Sequence, residues 1–518
     1  MSALDSLTSG IENTVNGVFN PIAEKLAGFV FGEVTLFGTT FPWIVAWLVV
    51  AGAVFTCWFG FVQVRGLRLS LDLVRGKYSK KDDPGEVSHF QALTAAVSGT
   101  VGLGNIAGVA VAVTIGGPGA TFWMILCGLL GMATKFVECT LGVKYREVHE
   151  DGTVSGGPMH YLRKGLAERG MAGVGKVLAV AASVALLFFG LFGGNLFQAN
   201  QSFSQLKSVT GGDDGLLGSS SGALIFGLLL AGLTGLVLLG GIKSISKVTV
   251  RLVPLMAGMY ILACLVVILV NVSAVPAAVS TIIGGAFSPE GVTGGVIGAL
   301  IVGFKRAAFS NEAGTGSAPI AHSAVKTRHP VTEGLVALLE PFIDTVIVCT
   351  MTALTIVIAS TPSWDKARSE AAESGASPEG VTITSDAFAT VMPWFPYILT
   401  VAVLLFAFST IITWGYYGLK AWTYLFGRRR SSELTYKATY TAFVALGSLL
   451  SLTSLIDMAD AILFLLAVVN ITGLYLLAPV VKKELDSFLA LVRSGKLGPN
   501  ADAGPAGAEK ADVPVAVD

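Results

Sequence analysis

The sequence predicts an all-α integral membrane protein of about 11 transmembrane helices, built as a five-plus-five inverted repeat with two discontinuous helices. Three observations predict it. Apolar residues make up 53% of the chain and charged ones only 13%, about half the charged share of a soluble domain. Lysine and arginine concentrate in alternate loops between apolar stretches. Two of those stretches, five spans apart, are interrupted by glycine and small polar residues.

Hydropathy places the spans near residues 41–64, 90–115, 120–143, 177–203, 223–241, 252–272, 291–321, 331–360, 387–417, 434–453 and 459–481. Each is long enough to cross a hydrocarbon core at about 1.5 Å per helical residue. With the N-terminus outside, the inner loops carry Arg65, Arg68, Arg75, Lys77, Lys80 and Lys81, then Lys144, Arg146, Arg163, Lys164, Arg169 and Lys176. Later inner loops add Lys243, Lys247, Arg251, Lys326, Arg328, Lys420, Arg428, Arg429, Arg430 and Lys437, and the C-terminal end adds Lys482 and Lys483. The outer segments hold only Lys25, Lys207, Lys366 and Arg368. Cytoplasmic loops carry the excess of basic residues, so the expected topology in the cell membrane is N-out and C-in.

The chain divides accordingly into an interfacial N-terminal segment (1–40), a peripheral helix (41–64), a cytoplasmic loop (65–89), a first repeat (90–272), a second (291–481) and a cytoplasmic tail (482–518). Apolar residues at helical spacing, from Ile11 to Ile22, suggest that the first segment lies along the membrane surface. It lacks the cationic start and cleavage site of a signal peptide. The Ala-, Gly- and Pro-rich end from Gly498 is expected to be disordered. Zero net charge points to no nucleic-acid partner. The five cysteines all lie in apolar stretches, so neither disulfides nor a metal centre is expected.

The interruptions carry the chemistry. Span two contains Ser98-Gly-Thr100-Val101-Gly102-Leu-Gly104-Asn105, and span seven contains Ser310-Asn311-Glu312-Ala-Gly314-Thr-Gly316-Ser317. Glycine costs nearly 1 kcal/mol per helical position, and Ser, Thr and Asn compete for backbone hydrogen bonds. At membrane depth such backbone survives only where protein buries it or water reaches it. The half-helix N-termini then offer amides to a carboxylate, and the freed carbonyls can ligate a cation. Five spans separate the breaks; an odd number inverts the second repeat, as in alternating-access carriers. Glycines in 227–241 fit helix packing instead. Gly102-Leu-Gly104 lacks the preceding strand and the following acid of a dinucleotide motif.

The residues around these breaks resemble the alanine or glycine:cation symporter family of the amino acid–polyamine–cation superfamily. The resemblance runs through Thr100 to Gly108, Gly117-Pro-Gly-Ala-Thr-Phe-Trp-Met124, Gly131-Met-Ala-Thr-Lys135-Phe-Val-Glu138, Gly156-Gly-Pro-Met-His160-Tyr161 and Ser310 to Ser317. It extends to Phe408-Ser-Thr410 and Trp414-Gly-Tyr-Tyr417. His160 departs from the pattern, where a second Tyr is expected; its position is read as a cytoplasmic loop. The resemblance implies the five-plus-five fold shared with neurotransmitter:sodium symporters, and symport of a small neutral amino acid such as alanine or glycine with sodium as the coupling ion. It also implies that Thr100 and the Gly102 and Gly104 amides hold the substrate carboxylate. Sodium would meet the carbonyls of Ser98 and Val101 and the hydroxyls of Ser409 and Thr410, oxygen ligands suited to a hard cation. Asn311 would close the opposite side, and Trp414 would wall a small side-chain pocket. Gln198 is either a ligand for the substrate amine or, like Asn195 and Asn200, an interhelical hydrogen-bonding residue.

Charges at membrane depth are costly and suggest function. Lys135 and Glu138 are three apart on one helix face and could pair. Lys305 and Arg306 could pair with Glu312, or with Glu340 and Asp344, in a network that breaks during gating. Glu312 also leaves open a proton-coupled carrier, in which it is the titrating group. The five histidines lie at or beyond predicted helix ends without forming a ligand pair, which argues against a membrane enzyme. Two unlike interruptions in one chain argue against a channel, which is more often an oligomer around a repeated filter.

Overall fold

The computed structural model describes residues 17, 20–36, 39–79, 82–215, 217–288, 295–375, 377–450 and 452–494. Most of the expected amphipathic run before Ile22 and the tail from Gly498 lie outside them. Seven described helices are long and apolar enough to cross a membrane, and eight with one bent pair. This supports a multi-pass helical protein; the count of 11 rests on the sequence reading.

Span one is the 16-residue helix Trp43–Trp58, short for a bilayer. A hairpin of Glu33–Leu36 with Thr39–Pro42 leads into it, a feature absent from the sequence reading. Span two begins at His89 with a capping box, the Ser88 hydroxyl accepting from the Gln91 amide and the Ser88 amide donating to Gln91 Oε1. It runs helically to Thr100, leaves helical geometry at Val101 and resumes as the π-helical turn Gly104–Gly108 and the helix Val109–Ile115. The halves are bent by 52°. Spans three (Ala120–Lys144) and four (Ala172–Val209) follow, the latter with a π-helical turn at Phe192–Leu196.

Spans five (Ser220–Leu238) and six (Gly241–Val270) bury only 39% and 33% of their most apolar stretches, against 67% in span three. They are the peripheral pair, with Leu228, Leu236, Leu262 and Leu269 exposed, an apolar face that suits lipid. A further helix, Val275–Phe287, packs its Ala286 carbonyl on the Trp123 indole. Span seven runs from Gly295 to Asn311, is non-helical from Glu312 to Ser317, and resumes at Ala318–His322. Span eight covers Pro330–Ala359, with π-helical geometry at Phe342–Cys349. Two short helices, Pro362–Ser374 and Gly380–Ala389, lie between spans eight and nine, the second overlapping the expected start of span nine at residue 387. The helices read as spans nine (Phe395–Phe426), ten (Arg430–Gly447) and eleven (Leu452–Arg493) are the last of the described residues' long helices.

The approach to span two and the exit from span seven are tied together. The Val87 and Glu86 amides donate to the Ala324 carbonyl, and the Lys326 amide donates to Val87. Arg146, just past span three, clamps this join by donating to the carbonyls of Pro84, Ser323, Val325 and Thr327. Burial pulls its pKa down to about 10, which leaves it charged at neutral pH. His160 lies in a helix, Pro158–Glu168, rather than a loop. With Lys164 it flanks Glu147, and the hydrogen bond from His160 holds that carboxyl at about 2.

Candidate functional site

The two breaks meet near the centre of the bundle. A β-carbon placed on Gly104 would contact Phe309 and Ser310 at 3.5 Å, so the second half of span two packs directly on the end of span seven. Beside this junction is a cavity of about 10 Å³, room for about one water. Gly99, Thr100 and Gly104 line it from span two, Gln198 and Gly193 from span four, and Phe309 and Glu312 from span seven. Thr410 and Trp414 close it from span nine, and Phe189 adds a wall.

Span two and span nine are locked around Ser98. The Thr410 hydroxyl donates to the Ser98 carbonyl at 3.0 Å, the Ser98 hydroxyl to the Ser409 carbonyl at 2.9 Å, and the Thr413 hydroxyl to Ser98 Oγ at 3.1 Å. Ser409 instead bonds its own helix, at Phe406, which is common for serine in a buried helix. The expected cation residues Ser98, Val101, Ser409 and Thr410 are all buried, and Ser98 bonds Ser409, Thr410 and Thr413 of span nine.

The amides expected for a carboxylate are engaged differently from the sequence expectation. Gly102 donates to Asn105 Oδ1 at 2.9 Å, so its amide is already satisfied. The Leu103 amide points to Gln198 Oε1 at 3.3 Å, and Gln198 Nε2 donates to the Gly193 carbonyl. Gln198 therefore bridges the break to span four, whereas Asn195 and Asn200 bond backbone carbonyls of Tyr440, Gly447 and Leu450. Gly102 has no room for a side chain: a β-carbon there would lie 2.6 Å from Thr410 Oγ1 and 3.3 Å from Gln198 Oε1.

Trp414 is fully buried. Its ring meets Phe189 edge-on at 4.7 Å and Tyr417 at 5.2 Å. Its indole N–H donates to Glu312 Oε1 at 3.1 Å, while Ser317 donates to Glu312 Oε2 at 2.5 Å. Glu312 has a φ of 54°, a strained backbone for a non-glycine residue, and such strain concentrates at functional sites. The aromatic wall of Phe189 and Phe309 was missed in the sequence because two phenylalanines in apolar helices carry no distinguishing signal.

Asn311 is turned away from this cavity. It donates to Thr345 Oγ1 at 3.0 Å and accepts from the Ala313 amide. Gly314 and Gly316, at φ 96° and 77°, shape the rest of the break. Glu138 accepts from the Gly316 amide and from Asn470, and Asn470 also donates to the Gly314 carbonyl. Glu138 thus steadies the break rather than pairing with Lys135, whose ammonium lies 3.3 Å from Glu340.

The expected partners of Lys305 and Arg306 are likewise corrected. Arg306 bonds Asp460 of span eleven, and Lys305 lies 3.7 Å from the same carboxylate and over the Phe31 ring. Glu312, Glu340 and Asp344 have other partners, because Lys305 and Arg306 face span eleven. Asp344 forms a separate polar cluster: Asn105 Nδ2 and the Ser310 and Thr345 hydroxyls all donate to its carboxylate, at 2.7, 2.7 and 2.8 Å. No Lys, Arg or His side chain lies within salt-bridge distance of it among the described residues. A buried carboxylate flanked by two hydroxyl oxygens, of Ser310 and Thr345, offers oxygens that a hard cation could use.

The sodium:alanine symporter family matches residues 27–502. The chain is 39% identical to the sodium/alanine symporter AgcS of Methanococcus maripaludis, over 86% of this chain and 94% of that one. It is 35% identical to the amino-acid carrier protein AlsT of Bacillus subtilis, over 86% and 90% of the two chains. Its fold is similar to that of MhsT, crystallised with L-phenylalanine, at a TM-score of 0.53 and 16% identity over 78% of this chain and 99% of that one.

Proposed function

The chain belongs to the sodium:alanine symporter family, a cation-coupled amino acid transporter by that membership, and we propose that it imports a small neutral amino acid, alanine or glycine, together with sodium by alternating access. The observation that carries this reading is the junction of broken span two with span nine. There the Ser98 carbonyl and Thr410 hydroxyl stand 3.0 Å apart, beside a cavity that Trp414 closes.

Each group has a part in such a cycle. Sodium entering between spans two and nine would take the Ser98 and Val101 carbonyls and turn the Thr410 oxygen towards itself, with Ser409 completing the set. The substrate carboxylate would take amides at the Leu103–Gly104 turn, displacing Gln198 Oε1 from its long bond to Leu103. Thr100 lies beside that turn. Trp414, Phe189 and Phe309 would limit the side chain to a methyl group or hydrogen. Glu312 faces the cavity with no cationic side chain within salt-bridge distance among the described residues, so the substrate ammonium would find a carboxylate there. The Asp344 cluster is a second candidate cation position, where the two breaks meet.

A second reading, favoured by the placement of Glu312 in the cavity wall, is proton-coupled transport with Glu312 as the titrating group. Uptake of labelled alanine into proteoliposomes decides between them. Sodium coupling predicts that replacing sodium with choline abolishes accumulation; undiminished uptake in choline, driven by a proton gradient, would establish the second reading. Competition by glycine, serine and larger amino acids then defines the substrate range.

A further inference from the structure

Away from the cavity, five buried side chains from spans two, three, seven and eight form one continuous string. His89 Nδ1 meets Glu333 Oε2. Glu333 Oε1 is 2.6 Å from His322 Nδ1, and His322 Nε2 meets Glu340 Oε1. Glu340 Oε2 lies 3.3 Å from the Lys135 ammonium. His322, Glu333, Glu340 and Lys135 have no solvent exposure, and His89 is 3% exposed beneath exposed Ser88. Two of the five histidines, His89 and His322, share the Glu333 carboxylate.

The string has a definite proton inventory. Both nitrogens of His322 face carboxylate oxygens. A neutral imidazole carries one N–H and would set a bare lone pair against the other carboxylate. The arrangement is satisfied when one further proton is present, either on the imidazole or on the facing carboxyl. With it, Lys135 and the imidazolium balance Glu333 and Glu340; without it, a net negative charge remains buried, which is costly. The other ionisable groups packed around His322 do not supply the balance. From span three come Glu138, whose Oε1 accepts from the Gly316 amide and Asn470, and Cys139, whose sulfur lies within 4.8 Å of His322 and Glu340 side-chain atoms. Span nine contributes Tyr417, and Lys420 bonds the Val154 carbonyl. Arg146 is held by backbone carbonyls.

We propose that Glu333–His322–Glu340 binds one proton that the carrier exchanges with the cytoplasm through His89 as it opens inward. The bound proton joins span two and the second half of span seven to spans three and eight. Release passes the His322 Nδ1 proton to Glu333 Oε1. His89, whose Nδ1 hydrogen faces Glu333 Oε2 in the closed string, then turns its bare Nε2 to Glu333, takes the proton there and gives its Nδ1 proton to water. The protein loses one proton and the solvent gains it. The clasp then carries an unpaired carboxylate, and the four elements part more readily. Acid on the cytoplasmic face therefore holds the carrier closed inward. This inference rests on the transport reading above, and its test separates the two.

The test uses right-side-out membrane vesicles containing the full chain, with alanine uptake driven by sodium and lumenal pH varied independently of external pH. Lowering lumenal pH from 8 to 6 is expected to slow wild-type uptake several-fold, while His322→Gln loses that dependence and His89→Gln blunts it. The same lumenal pH dependence in His322→Gln overturns the proposal. Should that variant fail to fold, the purified wild-type protein in weak buffer serves instead. Adding sodium and alanine is expected to release on the order of one proton per chain to a pH indicator, and no release overturns the proposal. Absent sodium-driven uptake in the wild type would refute the transport reading, whereas pH-insensitive uptake would refute only the proton site.

Discussion

Trp414 donates its indole N–H to Glu312 across 3.1 Å, so one hydrogen bond joins span nine to the broken centre of span seven. The same ring walls the cavity, which makes substrate size and the state of the span-seven break parts of one contact. Trp414→Phe keeps most of the aromatic wall and removes the donor. Loss of a hydrogen bond to a buried carboxylate costs about 1.5–3 kcal/mol. Sodium-driven alanine uptake is expected to fall at least tenfold, with a lower Tm in detergent; unchanged uptake would show that the bond does no work in the cycle.

Gly102 and Gly108 differ by their surroundings. Alanine at Gly102 would drive its methyl group into Thr410 Oγ1, whereas nothing lies within 4 Å of a β-carbon at Gly108. Gly102→Ala is expected to abolish uptake while the protein still reaches the membrane, and Gly108→Ala to transport normally. Equal uptake by both, measured at matched expression, would refute this assignment.

Thr410→Val preserves shape and deletes the hydroxyl that faces Ser98. The sodium concentration for half-maximal uptake should rise about tenfold, equivalent to about 1.4 kcal/mol. Ser409→Ala should shift it less, because the Ser409 hydroxyl is bonded within its own helix. Sodium titrations of initial rates separate the two residues.

Arg306 and Asp460 are a buried pair joining spans seven and eleven. Removing one partner strands the other, at a cost of about 3–5 kcal/mol, while removing both is far milder. Arg306→Ala and Asp460→Ala should each lower Tm markedly, and the double variant should recover part of the loss. Additive losses in a double-mutant cycle would mean that the residues act independently.

The membrane fold, the broken spans and the polar residues around them were legible in the chain because their signals are local. An apolar run of sufficient length has few options but to cross lipid, and glycine with serine, threonine and asparagine interrupts a helix wherever it lies. Thr410 and Trp414, four apart on span nine, share a face by helical periodicity alone. Partner choice among buried charges was not legible. Lys305 and Arg306 reach Asp460, more than 150 positions away in sequence, and Lys135 passes over nearby Glu138 for Glu340. Helix rotation and tertiary packing decide such pairings, and a desolvated charge takes whichever partner the packed bundle brings within reach. The same holds for Asn105 and Asp344, and for the string from His89 to Lys135. Periodicity shows which residues share a helix face; only the assembled bundle shows what that face meets.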